Sequence, residues 1–200
     1  MDALSLEKTE ESASEKKTTT DRRGNFTLAD YMALPEGTRV ELIDGVLYDM
    51  TGTSAAHNRV QVYTVHKISD YIEENEGSCE VFTAGVDVFL FENRDTAVQP
   101  DVFVVCDPDK VDDHGVNGAP DWVIEIASPS NYRHDYLRKL NLYMEAGVRE
   151  YWIINPMEQN ISVYIIEDMD FELHFYGFTD DVPVYIYGGK LKLNFSRFAE

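Results

Sequence analysis

The sequence predicts an α/β protein: a mixed central β-sheet flanked by helices, followed by a C-terminal antiparallel β meander. Three observations predict it. Two long stretches, Ser54 to Glu76 and Tyr132 to Ala146, carry apolar residues at helical spacing. Short runs rich in Val, Ile and aromatic residues lie between and after them. Beyond Pro156 the helical period disappears and short aromatic strands alternate with turns.

Each element has its own signal. Phe26 to Leu34 reads as a short helix with Thr27 at its N-cap, ended by Pro35 and Gly37. Arg39 to Tyr48 reads as a hairpin around Asp44-Gly45, a two-residue turn signal. In the first long helix Val60, Thr64, Ile68 and Ile72 share one face, Ser54 caps the start and Gly77 stops the end. Strands are expected at about Cys79 to Ala84, Val86 to Phe91 and Val98 to Cys106. Asp107 to Pro120 is polar, with Pro108, Gly115 and Gly118, and reads as a loop. Trp122 to Ala127 is an apolar strand interrupted by Glu125, and Ser128 to Asn131 supplies turn and N-cap chemistry. The second long helix turns Tyr136, Leu140, Tyr143 and Met144 to the core and ends at Gly147; Glu150 to Pro156 is a further buried strand.

Composition narrows the function classes. Residues 1–24 are rich in Ser, Thr, Glu and Lys and read as a disordered tail, leaving 25–200 as one domain. No apolar run is long enough to span a membrane. Cys79 and Cys106 show neither a zinc spacing nor a disulfide framework, so a reduced, cytoplasmic setting is expected. The net charge of −20 opposes general electrostatic capture of nucleic acid. Acids dominate from Glu80 to Glu125, with 11 acids against 2 bases, whereas Arg133, Arg138, Lys139 and Arg149 cluster just after Glu125. Any contact with a polyanion must therefore use a small part of the surface. The aromatic residues of the C-terminal meander, among them Phe171, Phe175, Tyr176, Phe178, Tyr185 and Tyr187, offer surface for a second copy of the chain, or cover the sheet edge within one chain.

Two acids stand in unexpected company. Asp101 precedes Val102-Phe103-Val104-Val105, and Glu125 lies inside Trp122 to Ile126. A carboxylate among such residues is costly to bury without a partner. If the two strands are neighbours, both carboxylates reach one end of the sheet and suit Mg²⁺ or Mn²⁺, hard ions that keep several waters. Lys139, on the next helix, would then stabilise charge developing on a phosphate. Spacing alone favours a plainer alternative: Asp101 as a strand-start residue, Glu125 paired with an arginine, and Lys139 paired with Asp135 four residues earlier.

A wider pattern changes that balance. Glu41-Leu42-Ile43-Asp44-Gly45, His57, Pro100-Asp101, the segment from Gly118-Ala119-Pro120-Asp121 to Ser128-Pro129-Ser130, Asp135 to Lys139, and Tyr143 through Gly147-Val148 to Glu150-Tyr151-Trp152 together resemble the Uma-two family of restriction-endonuclease-like proteins, itself similar to the PD-(D/E)XK nucleases. The resemblance covers about Phe26 to Pro156 and implies a restriction-endonuclease-like fold, Mg²⁺- or Mn²⁺-dependent hydrolysis of DNA phosphodiester bonds, and DNA as the partner. It implies Asp101 and Glu125 as metal ligands, with Glu41 and the carbonyl of Ile126 contributing. The lysine that usually follows two residues after the second acid is absent, because position 127 is Ala127; Lys139 matches the family's alternative position. His57 matches a family histidine near the start of the first long helix, read either as a phosphate- or water-contacting group or as a polar helix-start residue. Asp135 is expected to orient Lys139. His66, His114, His134 and His174 show no metal-ligand spacing. A nuclease-like fold serving as a binding or assembly module, with little or no catalysis, is the alternative.

Overall fold

The computed structural model describes residues 24–35, 37–128 and 134–199. The tail expected over residues 1–24 lies outside the described residues apart from Gly24, as do Pro129 to Asn131 of the expected turn.

The N-terminal elements form as their local chemistry dictates. Helix α1 (Leu28–Met32) opens on a capping box: the Thr27 hydroxyl accepts from the Asp30 N–H, and the Asp30 carboxylate accepts from the Thr27 N–H. Strands β1 (Val40–Ile43) and β2 (Val46–Asp49) form an antiparallel hairpin. Its turn places Asp44 at φ 51° and Gly45 at φ 75°, the paired left-handed geometry that matches strand twist. Helix α2 (Ala55–Glu74) is capped by Ser54, whose hydroxyl accepts from the His57 N–H.

The strands that follow build the sheet. They are β3 (Glu80–Thr83), β4 (Val88–Phe89), β5 (Val102–Val105), β6 (Val111–Asp112), β7 (Gly115–Asn117) and β8 (Trp122–Ile126). Helix α3 (His134–Ala146) leads into β9 (Glu150–Asn155), β10 (Asn160–Glu167), β11 (Asp170–Gly177), β12 (Val182–Pro183) and β13 (Lys192–Leu193). Six strands form the main sheet in the order β11-β10-β9-β8-β5-β3. Its one parallel pair is β8 with β9, the pair joined through α3, as a helical crossover requires. The sheet is thus mixed, flanked by α2 and α3, and finished by the expected antiparallel strands.

Side-chain alternation divides the core between the two faces of this sheet. Trp122, Ile124 and Ile126 join Val104, Trp152 and Ile154 under Val60 and Ile68 of α2. Phe103, Val123 and Tyr151 pack under Leu140 and Tyr143 of α3. A smaller cluster of Tyr31, Val40, Leu42, Leu47 and Ala97 holds α1 and the hairpin together.

The structure corrects three expectations. The segment 107–120 is not a loop throughout, because it contains a 3₁₀ turn at Pro108–Lys110 and the short strands β6 and β7. Strand β7 pairs in parallel with β4, a contact between distant segments that local sequence does not announce. The regular strand expected from Val98 begins only at Val102, since Val98 instead bridges to Val88. Cys79 and Cys106 are joined by a disulfide. The antiparallel register Glu80↔Val105 extends to place them directly opposite, although 27 residues separate them in sequence.

Gly115 marks where β7 meets the backbone beside β4. It lies at φ 144°, and a Cβ there would sit 2.3 Å from the Asp87 carbonyl oxygen. Gly115→Ala is therefore expected to destabilise the protein toward the upper end of the roughly 1–3 kcal/mol range for overpacking, read as a lower urea midpoint at unchanged slope.

Candidate active site

Asp101 sits immediately before β5, and extension of the Val102↔Ile124 pairing places it opposite Glu125 on β8. Both stand at one end of neighbouring strands. Glu125 has the parity of Val123 and turns toward α3, where Lys139 and Tyr143, four residues apart, share a helix face. The Lys139 ammonium donates to Glu125 Oε1 at 3.0 Å and to Glu41 Oε1 at 2.9 Å. Tyr143 donates its hydroxyl to the same Glu125 oxygen at 2.9 Å. Glu41 enters from β1 and also accepts the Gln99 N–H at 3.0 Å. Glu41, Glu125 and Lys139 are all buried.

Two carboxylates sharing one ammonium set the electrostatics. Burial pushes the Glu125 carboxyl well above the usual carboxylate range; the Lys139 charge opposes this, while Asp101 and Glu41 add to it. The site is short of positive charge, which is the condition under which a further cation gains most.

The other side of the site is built on Asp101. Its Oδ2 accepts the Ile126 N–H at 2.8 Å and lies 3.0 Å from His57 Nε2. Gln61, one turn beyond His57 on α2, donates its amide to the Asp101 carbonyl at 2.8 Å. His57 is buried, and its Nδ1 has no hydrogen-bond partner among the described residues. The Asp101 side chain keeps 14% exposure and opens onto a groove of about 580 Å³ lined by Arg39, Asn58, Gln61 and Thr83. This groove gives a ligand access to an otherwise enclosed cluster.

The structure thus brings Glu41, His57, Asp101, Glu125, Ile126 and Lys139 to one place. Glu125 meets Lys139 and Tyr143 rather than an arginine, and Lys139 reaches across to Glu41 and Glu125, whereas its expected pairing with Asp135 falls outside the described residues. The side chains of His134 and Asp135 lie outside the described residues. His66 is exposed beside Asp70, His114 is exposed, and His174 lies near Glu172, all apart from the cluster. Sequence reasoning missed Tyr143, Gln61 and Gln99 as partners of the site. Tyr143 and Gln61 each follow a candidate residue by four positions on its helix, and that was the available signal; Gln99 acts through its backbone and gave none. Position 127 is Ala, and the ammonium in this site comes from Lys139 on α3 instead.

Residues 28–185 match the family described as "Uma2: Putative restriction endonuclease". The chain belongs to the Uma2 family. This Uma2 chain is 27% identical over 125 residues to an uncharacterized protein of Synechocystis sp., an alignment covering 62% of this chain and 64% of that protein. It thus spans under two thirds of the length of that relative. Its fold resembles that of a protein from Anabaena variabilis ATCC 29413 described as "a putative nuclease belonging to DUF820", with a TM-score of 0.71 and 22% identity, over 86% of this chain and 97% of that one. The second likeness shows that the Uma2 chain shares its fold with that protein.

Proposed function

We propose that the protein is a metal-dependent endonuclease that hydrolyses phosphodiester bonds in DNA, with Mg²⁺ or Mn²⁺ as its cofactor. The observation that carries this reading is the convergence of Asp101, Glu125, Glu41 and Lys139, from the start of β5, from β8, from β1 and from α3, at one end of the main sheet. Among the described residues there is no ready cage of three or more acidic, His or Cys ligands. Mg²⁺ needs none, since it is commonly held by one or two carboxylates, waters and substrate phosphate. The hard oxygens of Asp101 and Glu125 fit that mode, with the Ile126 carbonyl and Glu41 as further donors. When bound, the ion would polarise a phosphoryl oxygen and lower the pKa of its water.

The chain's own residues supply the rest. Lys139 offers an ammonium to the charge that develops on the phosphate. His57, buried and held through Nε2 beside Asp101, would meet a water or a phosphate oxygen bound at that carboxylate. The Ile126 N–H and the Gln61 amide hold Asp101 in place. In the cytoplasmic setting that belongs to this proposal, the Cys79–Cys106 bridge would be the redox-labile element. No described helix is long and apolar enough to cross a membrane.

Cleavage of mixed single- and double-stranded DNA in Mg²⁺ and in Mn²⁺ tests the reading. Asp101→Asn, Glu125→Ala and Lys139→Ala are each expected to lower the rate by at least about 10²-fold, the scale of losing a group that stabilises transition-state charge. Full metal-dependent activity in both Asp101→Asn and Lys139→Ala would overturn the assignment. A second reading, a nuclease-fold binding or assembly module, is favoured by the net charge of −20, which leaves few cations to grip a duplex. Calorimetric Mn²⁺ titration bears on the two: the enzyme reading requires a metal site that Asp101→Asn removes, and absence of DNA binding at low salt favours the module.

A further inference from the structure

Strand β11 forms one edge of the six-stranded sheet and pairs with β10 along its full eight residues. Alternation puts Phe171, Leu173 and Phe175 on one face, and all three are exposed, at 40%, 37% and 72%. Phe171 rests edge-on against Tyr164 of β10, so this apolar stripe continues the face covered further along by α3. A long apolar edge strand is a template for pairing, and proteins that stay monomeric usually blunt it with Lys, Pro or a bulge. Asp170 to Gly177 contains neither Lys nor Pro, and its ladder to β10 runs without a bulge.

We propose that β11 pairs with the β11 of a second copy, antiparallel about a two-fold axis normal to the sheet, to form a homodimer. Such an axis passes through a residue, so that side chains facing one another lie on the same face. Charge selects the residue. An axis at Glu172 would set Glu172 against its own copy, and like charges directly opposite are unfavourable. An axis at His174 would likewise set His174 against itself. An axis at Leu173 sets Leu173 against the partner's Leu173 and Phe171 against the partner's Phe175, with Glu172 facing the partner's His174 on the other side of the sheet. The sequence Phe-Glu-Leu-His-Phe is thus complementary to its own reverse, aromatic to aromatic and acid to imidazole. Within one chain His174 stacks on Tyr185 with its Nε2 3.4 Å from Glu172 Oε2, and dimer formation would exchange that acid–imidazole contact for one with the partner's Glu172. This inference is independent of the catalytic reading.

Sedimentation equilibrium on the full chain is the test. The wild type is expected to be a dimer, and Leu173→Lys, which sets two ammoniums on the axis, is expected to raise the dissociation constant by about 100-fold or more. Far-UV circular dichroism and the urea midpoint of Leu173→Lys show whether its fold is intact. If that variant does not fold, Leu173→Cys decides: mild oxidant should link it to itself as a dimer, whereas Glu172→Cys, offset from its own copy, should link far less. A wild-type monomer at all concentrations overturns the proposal. So does a dimer whose dissociation constant is unchanged by Leu173→Lys, or equal cross-linking at positions 172 and 173. Protection of β11 amides in a monomer that vanishes when residues 1–23 are removed would assign the edge to the chain's own tail, and would also overturn it.

Discussion

Replacing Lys139 with Met is expected to destabilise the protein by about 3–5 kcal/mol, the range for removing one partner from a buried ion pair. Met fills a similar volume, so the loss is one of charge rather than packing. Lys139 is the ammonium shared by Glu41 and Glu125, both buried. Without it, two carboxylates face each other in a poor solvent for charge. The Glu125 carboxyl, already raised by burial, loses the charge that opposed that shift, so its folded-state pKa lies further above the unfolded value of about 4.3 for Glu. Groups shifted in that direction favour the fold fully only below the unfolded pKa and lose that contribution as pH rises through the folded one. The defect of Lys139→Met should therefore be small near pH 4 and large near pH 8, measured by urea denaturation at both. Adding Glu125→Gln should recover part of the loss at pH 8. A pH-independent defect would show that packing, not charge, is what Lys139 supplies.

Trp152→Ala is expected to cost a similar amount, about 3–5 kcal/mol for deleting a large buried aromatic. Trp152 is fully buried on the α2 face and packs edge-on against Trp122 at 4.9 Å between ring centres. Its indole N–H also donates to Glu150 Oε1 at 2.7 Å. The other oxygen of Glu150 accepts the Ile186 N–H at 2.9 Å, so this carboxyl ties β9 to the C-terminal segment. Burial raises the Glu150 pKa, and the donors around it oppose that shift. Trp152→Phe separates the two contributions. It keeps most of the apolar contact but removes the donor, and should cost about 1–3 kcal/mol, the penalty for leaving a buried polar group short of a partner. Urea midpoints of the two variants, compared with wild type, provide the measurement.

The parts of the fold legible in the sequence are those set by neighbouring residues. Thr27 with Asp30, Asp44-Gly45, and Ser54 ahead of an apolar stripe each determine a local geometry that needs no distant partner. The parts not legible depend on pairing across the chain. Strands β6 and β7 are two and three residues long and have too little pattern of their own; β7 exists because Val116 meets Val88. Likewise nothing near Cys79 or Cys106 signals that β3 and β5 are neighbours. The site shows the same division. Asp101 and Glu125 are conspicuous as acids among apolar residues, whereas helical spacing offers Lys139 only Asp135 and says nothing of Glu41 or Glu125. Glu41 is 98 residues away from Lys139, and the tertiary fold brings the two together.

The position of Glu41 has one further consequence. It belongs to the β1–β2 hairpin, a separate two-stranded sheet held against the rest by backbone bonds of Leu42 with Ala97 and of Gly45 with Asp95, by Ile43 in the core under α3, by the small cluster around Tyr31 and by the Arg94–Asp44 ion pair, among other contacts. Isolated hairpins are marginal in water, and opening of such a unit takes less free energy than unfolding a central sheet. Opening of the hairpin would withdraw the Glu41 carboxylate from Lys139. The electrostatics of the cluster therefore depend on how the hairpin is seated as well as on the central sheet.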